Sequence, residues 1–346
     1  MDPGAAFREQ ASGCGRLGSP MYDELLRLLA DDIEAGGPTA HVLRGHEDDP
    51  GPSGLALRLA GSVHRLVLAR RAGALAAFYP SVGGTWHTAG WPVLRRLLAD
   101  QPDAVREWLD RPPQTNEVGR AAALMAGLVE LGTRYPLPVR LAEVGASGGL
   151  NLLADRFRYV DRHGSVGPES SPVVLDPAWT GRPLPSRILP TIAERAGCDV
   201  RPVDVRTTEG RLTLTAYVWP DQVHRFERLR GGFALAEQTP YVVRRQSAGD
   251  FVDELTVRPG TVTVLWHSVM WQYLTREVQE RVTARLEALG ATATAEAPLA
   301  HLYAEPTRRT PEEERHFWVC ARTWPGTGER ELLGRMAAHG LPVAWE

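Results

Sequence analysis

Along the first third of the chain, apolar residues recur at the three- and four-residue spacing of a helix face. PMYDELLRLLADDIEAGG sets Tyr22, Leu25, Leu26, Leu28 and Leu29 on one side and ends at Gly36-Gly37, a C-cap signal. SGLALRLAGSVHRLVLARRAG repeats the period, with Ser53 as N-cap after the breaker stretch EDDPGP. WPVLRRLLADQPDAVREWLDRPP predicts one or two helices that stop at Pro112-Pro113, and EVGRAAALMAGLVELGTRY another that runs to Pro136.

After Pro138 the period changes. β-rich runs alternate with helical stretches: VRLAEVGAS, then GLNLLADRFRYV; PVVLDP; the strand RLTLTAYVWPD, then the helix VHRFERLRGGFALAEQ. PYVVRRQSAGDFVDEL, TVTVLWHSVMWQYL and the helix REVQERVTARLEALG follow. HLYAEP and HFWVCARTWP read as strands joined by the charged loop TRRTPEEER. Such alternation predicts βαβ units around a parallel sheet, an α/β fold of Rossmann-like type. The expected organisation is a helical N-terminal cap or lid over residues 1–113 and an α/β domain over 114–346.

Composition narrows the chemistry. All 39 basic residues are arginine, so no Schiff-base lysine and no P-loop lysine exist. A net charge of −3 offers no basic field for nucleic acid or an anionic membrane. No apolar run approaches the roughly 20 residues of a membrane span. MDPGAAFREQ lacks the basic and apolar regions of a signal peptide, so a cytoplasmic location is expected. Cys14, Cys198 and Cys320 are scattered, which suits reduced core thiols better than a disulfide frame or zinc site.

The strand-to-helix turn LAEVGASGGLN (141–151) invites a ligand. It fails the dinucleotide fingerprint G-x-G-x-x-G, since counting from Gly145 places Ser147 and Leu150 where glycines belong. It meets E-x-G-x-x-x-G through Glu143, Gly145 and Gly149, and so resembles the first motif of class I S-adenosylmethionine (SAM) methyltransferases. That resemblance implies SAM as cofactor, held by Glu143, Gly145, Ala146, Ser147, Gly148 and Asn151. SAM carries no phosphate, so small residues need only let backbone approach a methionine moiety while the acid faces its ammonium. The resemblance further implies an acid at the end of a second strand for the ribose hydroxyls. Asp221 is preferred and Asp176 is the rival; with Asp221, residues 155–208 become an insertion. Ala248, Gly249 and Asp250 then fall beside the adenine, and Trp266, His267 and Ser268 end a fourth strand facing the methyl group. QTNEVGR, FYPSVGG, LAEVGASGGLN, YVWPDQ and HSVMWQYL, in this order, are similar to an uncharacterised actinobacterial domain-of-unknown-function family of about this length. That second resemblance covers nearly the whole chain and brings no established activity with it.

His267 is the candidate general base, with a ring that titrates near neutrality. Asn116, Glu117 and Arg120 in QTNEVGR gather polar groups at one helix start, a candidate substrate or cofactor lid, and Gln272 and Tyr273 are candidate substrate contacts. His46, Glu47, Asp48 and Asp49 are consecutive and rarely converge on one ion, so no metal is expected. FYPSVGGTWH, with His87, is either a pocket roof or a structural loop. Three functions remain open: a SAM-dependent methyltransferase acting on a small molecule, a non-catalytic SAM-fold binding or regulatory protein, and a serine hydrolase. The last rests on G-x-S-x-G at residues 145–149, with Ser147 as nucleophile, Asp221 or Asp250 as acid and His267 or His301 as base.

Overall fold

The computed structural model describes residues 2–49, 53–111 and 113–346. Pro50, Pro52 and Pro112, expected as breakers, lie outside the described residues. Two compact units emerge: Met1–Thr115 with Thr207–Glu227, and Asn116–Arg206 with Arg228–Glu346.

The first unit is helical. Its N-terminal stretch forms α1 (Pro3–Arg16), α2 (Pro20–Glu34), α3 (Pro38–Val42), α4 (Leu55–Leu68), α5 (Gly90–Asp100) and α6 (Pro102–Arg106). The chain then enters the second unit with α7 (Ala121–Arg134) and later returns with α8 (Thr208–Ala216). Phe7, Leu25, Leu29, Leu59, Val63 and Trp219 share one core. Local chemistry sets the helix ends. Ser19 accepts the Tyr22 N–H at 3.2 Å, with Pro20 at the first helical position. Pro102 cannot continue the ladder of α5 and opens α6 instead. Ser53 is not the cap of α4: that position is Gly54, and the Ser53 hydroxyl accepts from Arg58 at 3.2 Å.

Of RLTLTAYVWPD, expected as a strand, residues 211–216 lie in the helix α8 and Tyr217 is its C-cap. Thr207 caps it by accepting the Gly210 N–H at 3.0 Å. The Thr213 and Thr215 hydroxyls donate back to Glu209 and Arg211 carbonyls at 2.8 and 2.6 Å, so their polarity is spent inside the helix. The alternation that suggested a strand is real but loses to the burial of Leu214 and Ala216.

The second unit is a mixed α/β layer. Its strands are β1 (Val139–Val144), β2 (Arg158–Asp161), β3 (Gly164–Val166), β4 (Val174–Leu175), β5 (Trp179–Gly181), β6 (Ile192–Asp199), β7 (Val242–Arg245), β8 (Val262–Ser268), β9 (Leu299–Thr307), β10 (His316–Trp324), β11 (Glu331–Met336) and β12 (Val343–Trp345). Helix α9 (Val223–Gln238) leads into β7, α10 (Ala248–Asp253) follows it, and α11 (Arg276–Gly290) joins β8 to β9. The nine-stranded sheet runs β5-β12-β11-β10-β9-β8-β1-β6-β7, and β3-β2-β4 form a small separate sheet. From β7 to β9 every neighbouring pair is parallel. In chain order these five strands stand third, second, first, fourth and fifth, an arrangement compatible with a Rossmann-like fold. Beyond β9 the sheet continues as an antiparallel meander through β10, β11 and β12, and β5 closes that edge parallel to β12.

Helices cover both faces. Gly127 of α7 meets Leu302 on one face. On the other, Phe251 and Val252 of α10 and Val282 and Leu286 of α11 pack with Ala142, Val144 and Leu265. The expected insertion at 155–208 is corrected here, because it contains β6, the second strand of the parallel sheet. Its middle is charged, yet each charge is met: Arg195 grips both Asp155 oxygens at 2.6 and 2.9 Å, and Glu194 is held by Arg140 at 3.0 Å and by Arg258.

All three cysteines are buried free thiols, each pushed up to about 12 by burial. Among the described residues, no helix is long and apolar enough to cross a membrane.

Candidate functional site

The chain steps outward from β1 through β6 to β7, then crosses to β8 on the far side of β1. Strand order therefore reverses beside β1, and in open α/β sheets the crevice at such a point, outside the carboxyl ends, takes ligands. The turn 145–149 sits there. Gly145, Ser147 and Gly149 have φ of +68°, +52° and +74°, which glycine adopts freely and serine does not. The Ala146 N–H donates to Cys198 O at 3.0 Å and the Ser147 N–H to the Asp199 carboxylate at 2.9 Å, fastening the turn to the end of β6. The Tyr241 hydroxyl donates to Gly148 O at 2.8 Å. Behind the turn, Asn116 accepts the Leu150 N–H at 2.9 Å and so starts the short helix Leu150–Arg156.

Glu143 is the singular group of this edge. It is only 3% exposed, and its Oε2 has no hydrogen-bond partner among the described residues. Burial pushes its carboxyl up to about 8; Asn151, Trp266 and Arg120 pull the other way without reversing the shift, and Asp199 adds to it. Asn151 Oδ1 and Trp266 Nε1 are likewise buried and unpartnered. One carboxylate oxygen, one amide oxygen and one indole N–H thus lie buried without a geometric partner, and a buried unpaired oxygen is costly.

Glu117, Gly119 and Arg120 of QTNEVGR brace this edge. Glu117 accepts the Gly119 N–H at 3.1 Å. Gly119 packs backbone to backbone against the C-terminal turn: an added Cβ would lie 2.4 Å from His339 O. Arg120 donates to Ala338 O at 3.3 Å and, at the limit of bonding, to Ser268 O at 3.5 Å. Asn116, Glu117 and Arg120 were expected as substrate contacts; each has structural work beside the glycine turn and the end of β8.

His267 was expected to face a transferred methyl group as general base, and the geometry corrects this. Register pairs Glu143 with Trp266, so the next residue, His267, leaves the sheet on the opposite face. It is buried, and both ring nitrogens are engaged: Nδ1 with Glu305 Oε1 at 2.8 Å, Nε2 with His301 Nε2 at 2.9 Å. Burial, with His267 beside it, holds the His301 ring well below its usual range. The hydrolase triad of Ser147 with His267 is therefore not assembled. Ser147 should show no labelling by a fluorophosphonate probe; mass-spectrometric detection of an adduct there would restore that function.

Comparison with known proteins adds a family. Residues 4–345 match the family described as "Uncharacterized protein conserved in bacteria (DUF2332)". The chain belongs to the DUF2332 family. No curated protein and no solved structure gives a significant match.

Other expected site residues of this DUF2332 chain fall elsewhere. Asp221 follows α8 rather than a strand, and its carboxylate takes the Ser19 hydroxyl at 2.7 Å and the Met21 N–H at 3.0 Å, anchoring the start of α2. Asp221→Ala should accordingly cost about 1 kcal/mol, the usual scale of a lost helix-start contact, read as a fall in Tm. Asp176, its rival, is exposed after β4 in the small sheet. The acid at the end of the second strand is Asp199, which sequence reading passed over; its one signal was CDV closing a run that begins at Ile192. Asp250 starts α10, bonded to Ser247 at 2.7 Å and paired with Arg281 at 2.8 Å; both lower its carboxyl. Gln272 and Tyr273 are exposed in a single helical turn after β8.

Two further stretches are held by contacts within the chain. His46 pairs with Asp49 at 3.1 Å, which also takes Arg58 at 2.7 Å, and no group of three or more metal-binding side chains exists among the described residues. In FYPSVGGTWH, the Ser81 hydroxyl meets His64 at 2.8 Å and His87 packs edge-on to Phe78. Burial lowers His64 to about 4, so its ring is neutral and pins the loop to α4.

Proposed function

We propose that this chain is a SAM-dependent methyltransferase acting on a small molecule, with SAM taken at the carboxyl edge of β1 and β8. Glu143 carries the proposal. A buried carboxyl whose Oε2 lacks a partner, beside an unmet amide oxygen of Asn151, suits an ammonium group, which brings both charge and donors. The backbone of Gly145–Gly149 would lie along the methionine moiety, and Asp199 stands where ribose hydroxyls are expected. When bound, SAM supplies an activated methyl group on a sulfonium centre. Met270 and Tyr241 cover the two ends of the turn. Gly145→Val would thus meet the Met270 side chain first, not empty ligand space.

The test is calorimetry and thermal shift on the full chain with SAM and S-adenosylhomocysteine (SAH). Ligand at a hundredfold excess over Kd should stabilise by about 2.7 kcal/mol and raise Tm by several degrees. No shift with either ligand at millimolar concentration sinks the proposal. The engaged nitrogens of His267 favour a second reading, in which the same ligand is bound but not turned over. SAM binding without SAH formation across a panel of small nucleophiles would select it.

A further inference from the structure

Val269, immediately after β8, has φ of +51°, a left-handed conformation that a β-branched residue adopts only when its surroundings compel it. Here they do. The Val269 N–H donates to Ala304 O at 3.1 Å, and the Met270 and Trp271 N–H groups both donate to Glu305 Oε1, at 3.1 and 3.3 Å. Gln279 donates to Trp271 O at 2.9 Å from α11. The same Glu305 oxygen takes His267 Nδ1, and the His267 ring lies between Trp271 and Tyr303, with centroids 4.9 and 5.3 Å away and nearly parallel planes. What this bracing delivers is Met270. A Cβ on Gly145 would sit 2.9–3.1 Å from three of its side-chain carbons, so Met270 closes directly over the first glycine of the turn.

We infer that Glu305 is a positioning residue: by holding the strained Val269–Trp271 turn it keeps Met270 over Gly145, and so sets how long a ligand stays on the glycine turn. The inference rests on the proposal that SAM binds there. It assigns Glu305, a buried residue on β9, a role exerted through two backbone N–H groups rather than through contact with the ligand. It also explains why His267 points away from the crevice: the imidazole and its aromatic neighbours orient the carboxylate from behind.

The experiment measures the dissociation rate of SAH from the full chain by stopped flow, with melting curves alongside. Glu305→Ala removes the acceptor; Glu305→Gln keeps an oxygen for the two N–H groups; Met270→Ala removes the cover. Val269→Gly relieves the strain while leaving Glu305 in place, so it should keep the wild-type rate, since glycine takes a positive φ at no steric cost. Glu305→Ala and Met270→Ala should each speed dissociation about tenfold, with little change in association, the usual signature of a lost retaining contact. Glu305→Gln should stay within about threefold of wild type, because its amide oxygen still accepts. If Glu305→Ala does not fold, Glu305→Asp, whose carboxylate is one methylene shorter and draws back from the two N–H groups, takes its place with the same expected acceleration. A wild-type dissociation rate in Glu305→Ala, or in Glu305→Asp where the alanine variant does not fold, overturns the positioning role and leaves the SAM proposal standing. Absence of any SAH binding by the wild type overturns both.

Discussion

Glu143→Gln should melt higher than the wild type at pH 8 and lose SAH. The folded chain keeps this carboxyl protonated to about pH 8, whereas the unfolded chain ionises it near the ordinary 4.5. Between those values the unfolded state holds fewer protons, so wild-type stability falls as pH rises, by at most about 1.4 kcal/mol per unit. An amide has no such proton to lose. The Tm difference between variant and wild type should therefore be small near pH 5, grow through the window and level off above 8. Ligand binding should move oppositely. An ammonium requires the ionised carboxyl, so wild-type SAH affinity should rise from pH 6 to 8, and calorimetry should detect proton release. Removing one member of a buried charged pair costs about 2–5 kcal/mol, so Glu143→Gln should bind at least about thirtyfold more weakly, without that pH slope. A variant that melts like wild type at every pH would show that the carboxyl is not strained by its burial.

Gly119→Ala should be among the most damaging single methyl groups that can be added. The new Cβ would stand 2.4 Å from His339 O, and a Cβ on Gly340, at φ +90°, would likewise strike the backbone of Gly119 and Arg120, so the two segments meet backbone to backbone. Both contacts are with backbone, so relief requires moving the C-terminal turn as a whole. We expect a loss of about 3 kcal/mol or more, on the scale of overpacked cores, with a Tm fall of roughly 6–12 °C. Arg120→Ala, which inserts no atom against the C-terminal turn and loses long bonds to Ala338 O and Ser268 O, should cost less. Equal melting of Gly119→Ala and wild type would mean that the C-terminal turn is not seated on this motif.

Much of the second unit was legible because pattern and propensity agree there. β1 and β8 are apolar runs ending in small or polar residues, α9 and α11 carry helical spacing, and E-x-G-x-x-x-G located Glu143 without help from structure. The second strand was hidden by its own composition. AERAG in β6 reads as helix, and only Arg140, Arg258 and Asp155, far apart in sequence, make its charges tolerable inside a sheet. With β6 unseen, the threonine-leucine alternation of α8 was taken for the missing strand, and Asp221 was read as the acid that ends it, a place that Asp199 holds. Glu305 left no signal either. It lies thirty-eight positions beyond His267, and only the parallel pairing of β8 with β9 brings the two together.

The division of the chain into units has a consequence for synthesis. Residues 1–115, which carry α1 to α6, are made before the rest of this sequence, yet the core they form also includes Trp219, and α8 packs on α4. That core stays open until more than a hundred further residues have emerged, by which time β1 and β6 are already made but β8 to β12 are not. A chain halted near residue 200 should accordingly expose the apolar faces of both units at once and call on chaperones. The familiar order, in which an N-terminal domain closes before the next begins, does not apply to this protein.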